Sequence, residues 1–140
     1  MRLAGRPAGI AYNPAYIQTP SGKPGLLTDT TMHIDDIPFG TTDWSQIAPS
    51  EHRGERGMAY WRTRNFGDIR VRLVEYTPGY LADHWCAKGH ILLCLEGELH
   101  TELDDGRTFT LRPGMSYQVA DHAEAHRSST PGGARLFIVD

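Results

Sequence analysis

Two imidazoles and a thiol, His84, Cys86 and His90, are separated by one and then three residues, a spacing that lets all three converge on one cation. An apolar run, Ile91-Leu92-Leu93-Cys94-Leu95, follows at once and ends before Gly97, so a strand stands behind these groups as a rigid wall. A fourth donor, His126, follows a second turn-and-strand unit, with His122 as its substitute. Imidazole with thiolate is a soft donor set that suits Fe(II), Zn, Ni or Cu better than Mg, Ca or Mn. Asp83, Asp121 and Glu124 lie close enough in sequence to orient the imidazoles from behind. Each residue also has a plainer reading. Cysteine is often buried packing, and Cys86 is separated from that reading only by its closeness to His84. Cys94 sits in an apolar run and reads as core, while His100 on an alternating segment reads as a solvated or cross-strand residue.

The elements that must hold these groups are strands. From residue 32 onward, strand and turn signals recur about every ten residues and helix signals are scarce. Ile69-Arg-Val-Arg-Leu73 alternates apolar and charged and is stopped by Thr77-Pro78-Gly79. The segment 89–95 is apolar on both faces and is expected to be buried on both. Glu98–Leu103 and Arg107–Leu111 flank Asp104-Asp105-Gly106, a hairpin signal because Asp-Gly tolerates the positive φ of tight turns. Ser116–Ala120 and Ala134–Val139 complete the set, whereas residues 43–45 and 51–56 read as loop or a short helical turn. Many short strands at even spacing with no interposed helix imply an antiparallel sandwich or barrel. Arg70 and Arg72 share one strand face; turned inward they would clamp a carboxylate, but a sheet usually keeps one wet face, so the outward reading is expected. Tyr60, Trp61, Tyr76, Trp85 and Tyr117 are either core or the lining of a pocket mouth.

The chain has 140 residues, the size of one domain that buries roughly two thirds of its extended surface. Its 14 Lys+Arg against 17 Asp+Glu leave no basic footprint for nucleic acid or a membrane surface, so a small molecule is the expected partner. No run approaches the roughly 20 apolar residues of a membrane span. Two cysteines in dissimilar settings make a poor disulfide framework, and a cytoplasmic location is the simplest expectation. Residues 1–31, with Pro7, Pro14, Pro20 and Pro24 among several glycines and no sustained period, read as a flexible, disordered N-terminal extension ahead of a domain over 32–140. Two accounts of it stand: an ordinary arm, or sequence upstream of a translation start at Met32. The first residues lack the apolar stretch of a secretory signal.

The stretch from Gly79 to His126 resembles the two-part signature of the cupins, small β-barrels of jelly-roll (RmlC-like) type. The first part of that signature runs from a glycine through His-x-His and a glutamate to a second glycine. In this chain Gly79 stands four residues before His84, Cys86 replaces the second histidine, His90 stands where the glutamate is expected, and six residues lead to Gly97. In the second part Pro113-Gly114 supplies the upstream turn, Ala120-Asp121-His122 stands in place of Pro-x-Gly, and His126 comes about one residue late. More narrowly, residues 37–140 look like a group of small single-domain cupins named for an Asp-His-Cys-Trp motif, with the order here Asp83-His84-Trp85-Cys86. The resemblance implies an all-β cupin-type barrel with a mononuclear transition-metal site at His84, Cys86, His90 and His126. With the thiol ionised, that set keeps the single negative charge of the usual three imidazoles and one carboxylate; without Cys86, three histidines resemble the site of thiol-dioxygenase cupins.

The resemblance says little about activity, since one fold hosts many chemistries. Two functions stay open. One is a metal-dependent enzyme of the dioxygenase or isomerase kind, with the metal as Lewis acid or oxygen-activating centre. The other is a non-catalytic ligand-binding or sensory cupin, with a structural metal or none. A homodimer through sheet edges is compatible with either. Phosphate-cradling glycine loops, nucleophile elbows and linked zinc knuckles are all missing from the sequence.

Overall fold

A computed structural model describes residues 33–140, so the expectations for the extension 1–31 and for a start at Met32 fall outside the described residues. A single 3-10 turn, Trp44–Gln46, capped by the Asp43 carboxylate, precedes nine strands. These are β1 (Ser50–Arg53), β2 (Met58–Phe66), β3 (Ile69–Tyr76), β4 (His90–Gly97), β5 (Leu99–Leu103), β6 (Thr108–Leu111), β7 (Ser116–Val119), β8 (His126–Ser129) and β9 (Ala134–Val139). They form a six-stranded sheet in the order β1-β2-β3-β9-β4-β7 and a three-stranded sheet in the order β6-β5-β8, with every pair antiparallel. The two sheets of this all-β chain make a jelly roll, in which strands adjacent in space, such as β3 and β9, are far apart in sequence. Isolated bridges Leu81↔Ser129 and Cys86↔His126 lay the segment 81–86 along the free side of β8.

Glycine makes two of the turns possible. Gly106 closes the β5–β6 hairpin at φ 91°, the left-handed conformation that Asp-Asp-Gly foretells. Gly97 leaves β4 at φ 75° after a register shift between Cys94 and Glu96, and a Cβ there would lie 2.1 Å from the Gly133 carbonyl oxygen.

Alternation along each strand sorts the side chains by face. Val74, Leu92, Cys94, Leu99, Leu111, Ala134, Leu136 and Ile138 form one buried cluster between the sheets. The outer face of β4 departs from expectation: Ile91 is 59% and Leu95 38% exposed, so this strand is buried on one face only. Residues 51–53 are strand rather than loop, and β2 and β8 are strands that residue patterning did not single out. β2 carries Arg62, Arg64 and Asn65 among its apolar residues, and β8 is entirely polar. Pairing within the sheets outweighs their weak strand propensity.

The largest correction concerns β3. Arg72 is only 6% exposed, and both Arg70 and Arg72 line the cavity inside the barrel. The opposite face of β3 is the apolar one, with Leu73 paired to Phe137, itself in edge contact with Trp44. What makes inward-facing arginines, Arg72 buried and Arg70 partly so, tolerable is Asp140, one pair beyond the end of β9. Its backbone pairs with Arg70 and its carboxylate faces the same interior.

Candidate metal centre

Three of the sequence-predicted donors meet at one end of the barrel. His90 opens β4 and His126 opens β8, while Cys86 is locked opposite His126 by two backbone bonds, Cys86 N–H to the His126 carbonyl at 2.8 Å and the reverse at 3.0 Å. Gly89 permits the close approach of this end of β4 to the chain after β7. A Cβ there would lie 2.4 Å from the Asp121 nitrogen, and the Gly89 N–H donates to the Asp121 carboxylate at 2.7 Å. One donor atom from each of Cys86, His90 and His126 lies within 4.8 Å of the others. Three bonds of metal length around a tetrahedral ion require donors roughly 3.3–3.8 Å apart, within reach of small side-chain rotations.

Hydrogen bonds orient these groups. His126 Nδ1 lies 2.9 Å from the Glu124 carbonyl, which can only accept, so Nδ1 carries a proton and Nε2 faces inward. That Nε2 stands 3.1 Å from His90 Nε2, which is also 2.9 Å from the Tyr117 hydroxyl. Two imidazole lone pairs that face each other repel unless a proton or a cation stands between them. The remaining nitrogen, His90 Nδ1, is buried with no hydrogen-bond partner. A metal held by His90 Nε2 would leave that nitrogen without a partner too, so the fit to a borderline metal rests on the convergence of one thiol and two imidazoles.

Electrostatics separate the three donors. The hydrogen bond from His126 draws the Cys86 thiol below its ordinary value and outweighs burial, which favours the thiolate that binds metal. The same bond raises His126, which favours its protonated ring, so metal binding there must displace that proton. Burial, then the neighbouring His126 charge, lowers His90 to about 4, so its imidazole is neutral near pH 7 as a ligand must be. Tyr117 is pushed up, chiefly by burial, and stays a neutral hydroxyl.

His84 lies outside this group. From Ala82, whose N–H donates to the Ser128 carbonyl, to Cys86, whose N–H donates to that of His126, the chain takes four steps while β8 takes two. The surplus bulges out at Asp83-His84-Trp85. The His84 side chain is 73% exposed and its Nδ1 lies 2.6 Å from the Asp83 carboxylate, while Trp85 stacks over the Arg127 guanidinium at 4.8 Å. His84 nevertheless lines the cavity onto which the other three open. His100 pairs with Glu98, and His122 takes a positive φ of 57° in an exposed turn.

The cavity, about 270 Å³, runs from Cys86, His90 and His126 to the two arginines. Arg70 holds the Asp140 carboxylate with two bonds, Nε at 2.7 Å and Nη2 at 2.8 Å, and Arg72 Nη2 adds a third at 2.6 Å. Burial pushes the Asp140 carboxyl up, but the Arg70 hydrogen bonds and the two guanidinium charges outweigh it and hold the group below its usual range. Trp61 forms a further wall, with the Arg72 guanidinium 4.4 Å from its ring centre and His52 stacked on it at 3.7 Å. Asp140 is the cavity residue that sequence reasoning missed. The signal for Asp140 was present: it continues the two-residue alternation Leu136, Ile138.

No protein-family model matches the chain, and no curated protein matches it. Solved structures do. An RmlC-like cupin from Shewanella frigidimarina aligns with a TM-score of 0.58 at 20% identity, over 73% of this chain and 89% of that one. A protein described as a predicted oxalate decarboxylase from Thermotoga maritima gives 0.61 at 16% identity, over 71% and 96%. Ectoine synthase from P. lautus gives 0.59 at 19% identity, over 72% and 76%. Identities this low speak for the fold, and together with the two antiparallel sheets they make this chain a small cupin-fold protein. Its Cys/His/His group is one that can hold a metal ion.

Proposed function

We propose that the protein is a metal-binding cupin whose Cys86, His90 and His126 hold one transition-metal ion and whose adjoining cavity receives a small molecule for metal-assisted, oxygen-dependent chemistry. The observation that carries this reading is the 3.1 Å approach of His90 Nε2 to His126 Nε2 beside a thiol of lowered pKa. Fe(II), Zn, Ni or Cu all suit the donor set, and such an ion would supply a Lewis-acidic centre with positions left open to the cavity. The chain's own contributions are distinct. Cys86 brings the one negative charge, the Glu124 carbonyl fixes the His126 tautomer, and burial keeps His90 unprotonated. Tyr117 presents a neutral hydroxyl to the same space. Metal analysis of protein purified anaerobically from a metal-replete medium tests the reading. About one metal per chain is expected, lost in Cys86→Ser; less than about 0.1 per chain would overturn it, since sites with several His and Cys ligands hold such metals tightly.

A second reading, ligand binding without turnover, has its own support. Asp140, the one carboxylate lining the cavity, is committed to two guanidiniums and is not free to act as a base. Oxygen consumption against a panel of thiols and small acids separates the two, uptake above the metal-free control supporting turnover.

A further inference from the structure

The cavity holds more donors than its own acceptors use. Arg72, 6% exposed, has its Nε buried with no hydrogen-bond partner, and Trp61 Nε1 is likewise buried and unpartnered. Both side chains line the cavity with these two nitrogens covered, so an acceptor reaches them through a small side-chain shift. Buried N–H groups are seldom left without acceptors, because each costs about as much as a lost hydrogen bond. Charge is unbalanced in the same direction: Arg70 and Arg72 face a single carboxylate, Asp140, and of the two guanidiniums Arg72 is desolvated while Arg70 is partly exposed. A divalent ion with one thiolate ligand would add a further positive charge. The missing partner is therefore an anion with acceptor atoms to spare.

We propose that this end of the cavity is a binding subsite for the carboxylate of a small organic acid, which accepts from Arg72 and Trp61 while the rest of the acid extends toward Cys86, His90 and His126. Three features define the class. The existing contacts of Asp140 show that the guanidiniums are set in the plane and at the spacing that suit a carboxylate. The volume, about 270 Å³, lies below the roughly 300–1,000 Å³ of sites for drug-sized ligands, so the acid is small. The stacked rings of Tyr76 and Tyr80 also line the cavity, which favours a ligand with an apolar portion. Asp140 then acts as a built-in competitor: its carboxylate holds the arginines in register and takes part of the attraction that an incoming acid would otherwise receive.

The substrate class rests on the metal-centre reading for its catalytic meaning, but the subsite stands on Arg72, Trp61 and Asp140 alone, and its test is run on metal-free and metal-loaded protein in parallel. Acetate and inorganic phosphate are titrated by calorimetry, with thermal melting as the check that each variant is folded. Saturable acetate binding is expected in the metal-free protein, weakened at least tenfold in Arg72→Met, less in Arg72→Lys, and about fivefold in Trp61→Phe, which keeps the ring but not the N–H. Asp140→Asn is expected to move affinity the other way, tightening acetate several-fold and regaining melting temperature when acetate is added. A purely structural role for Asp140 would give no such gain. Acetate that binds only the metal-loaded protein, or equally in wild type and Arg72→Met, overturns the subsite while leaving the metal centre intact. Phosphate that binds more tightly than acetate overturns the carboxylate assignment. Acetate binding with no metal uptake leaves the subsite standing and removes the metal centre.

Discussion

Cys94 and Cys86 occupy opposite ends of the barrel interior and show what each end is for. Cys94 is fully buried on β4, and burial pushes its thiol up. Cys86 is half-buried beside His126, and that hydrogen bond draws its thiol down. The same strands serve both regions. β4 points His90 at one end and Cys94 at the other; β9 runs from Leu136 to Ile138 and on to Asp140; β3 runs from Arg70 and Arg72 to Val74. One end gains stability from apolar area removed from water. The other holds charges and convergent donors that are costly to bury, and is tolerable because the strands carrying it are anchored at the packed end.

This division is broken most forcefully from the packed side. Leu136 is fully buried and pairs with both Val74 and Cys94, so Leu136→Ala opens a cavity at the centre of the cluster. A loss in the upper half of about 2–5 kcal/mol is expected in urea unfolding. Below its unfolding midpoint the variant should still bind metal at one per chain. Metal lost in step with stability would show that the two ends are not separable.

The next effect comes from the charged side. Asp140→Asn leaves Arg72, 7% exposed, without its carboxylate and should cost about 3 kcal/mol at pH 7, the lower end for a broken buried pair because Arg70 is 39% exposed. The pH dependence has a definite sign. The folded-state value of Asp140 lies below the ordinary 3.8, so the folded protein binds fewer protons than the unfolded chain just below that pH. The contribution is complete above 3.8 and is lost as pH falls through the lower folded value. Wild type and Asp140→Asn should therefore converge in stability as pH drops below 3.8; a gap that persists to pH 2 would show that packing, not charge, sets the difference.

How much of this was legible in the sequence differs between the ends. The all-β architecture and the hairpin at Gly106 follow from local pattern, since two-residue alternation and turn chemistry are local properties. The closeness of Cys86 and His90 follows from their spacing, whereas His126, 36 residues beyond His90, is reached only through the two-part signature. The inward turn of Arg70 and Arg72 follows from neither. Alternation says that two residues share a face but not which face is inside, and the partner that decides it, Asp140, lies about seventy residues away in sequence. The exposure of Ile91 and Leu95 escaped because an unbroken apolar run carries no alternation and so reads as buried on both faces. β8 has no apolar signal at all and is a strand only because β5 and Cys86 flank it.

Removing a donor sharpens the functional side without touching the packed one. His126→Ala should weaken metal binding at least a hundredfold, about 2.8 kcal/mol by the conversion of 1.4 per tenfold. Competition against a chromogenic chelator gives the measurement. The same variant also frees the Glu124 carbonyl and strips the Cys86 thiol of its hydrogen bond, so the thiol should titrate closer to its ordinary value by absorbance at 240 nm. Unchanged metal affinity would remove His126 from the centre.

The smallest effect is the most discriminating, because His84 is the residue on which spacing and structure point in different directions. Spacing puts it two residues from Cys86, in the first position of the signature, yet the two-step surplus at Asp83-His84-Trp85 carries it out of the sheet and leaves its side chain 73% exposed against Asp83. For His84 to reach the other three donors, the bulge would have to fold inward, and the stacking of Trp85 on Arg127 would have to be released. A contact of this kind at a partly exposed site holds only about 0.5–1 kcal/mol, so it favours the outward form without locking it. With His84 outside the centre, His84→Ala should change metal affinity less than twofold and leave stability within about 0.5 kcal/mol, as for other exposed substitutions. A tenfold loss of affinity in His84→Ala, together with quenching of Trp85 fluorescence when metal is added to the wild type, would show instead that the bulge closes over the ion and that the barrel's open end is completed only in the loaded state.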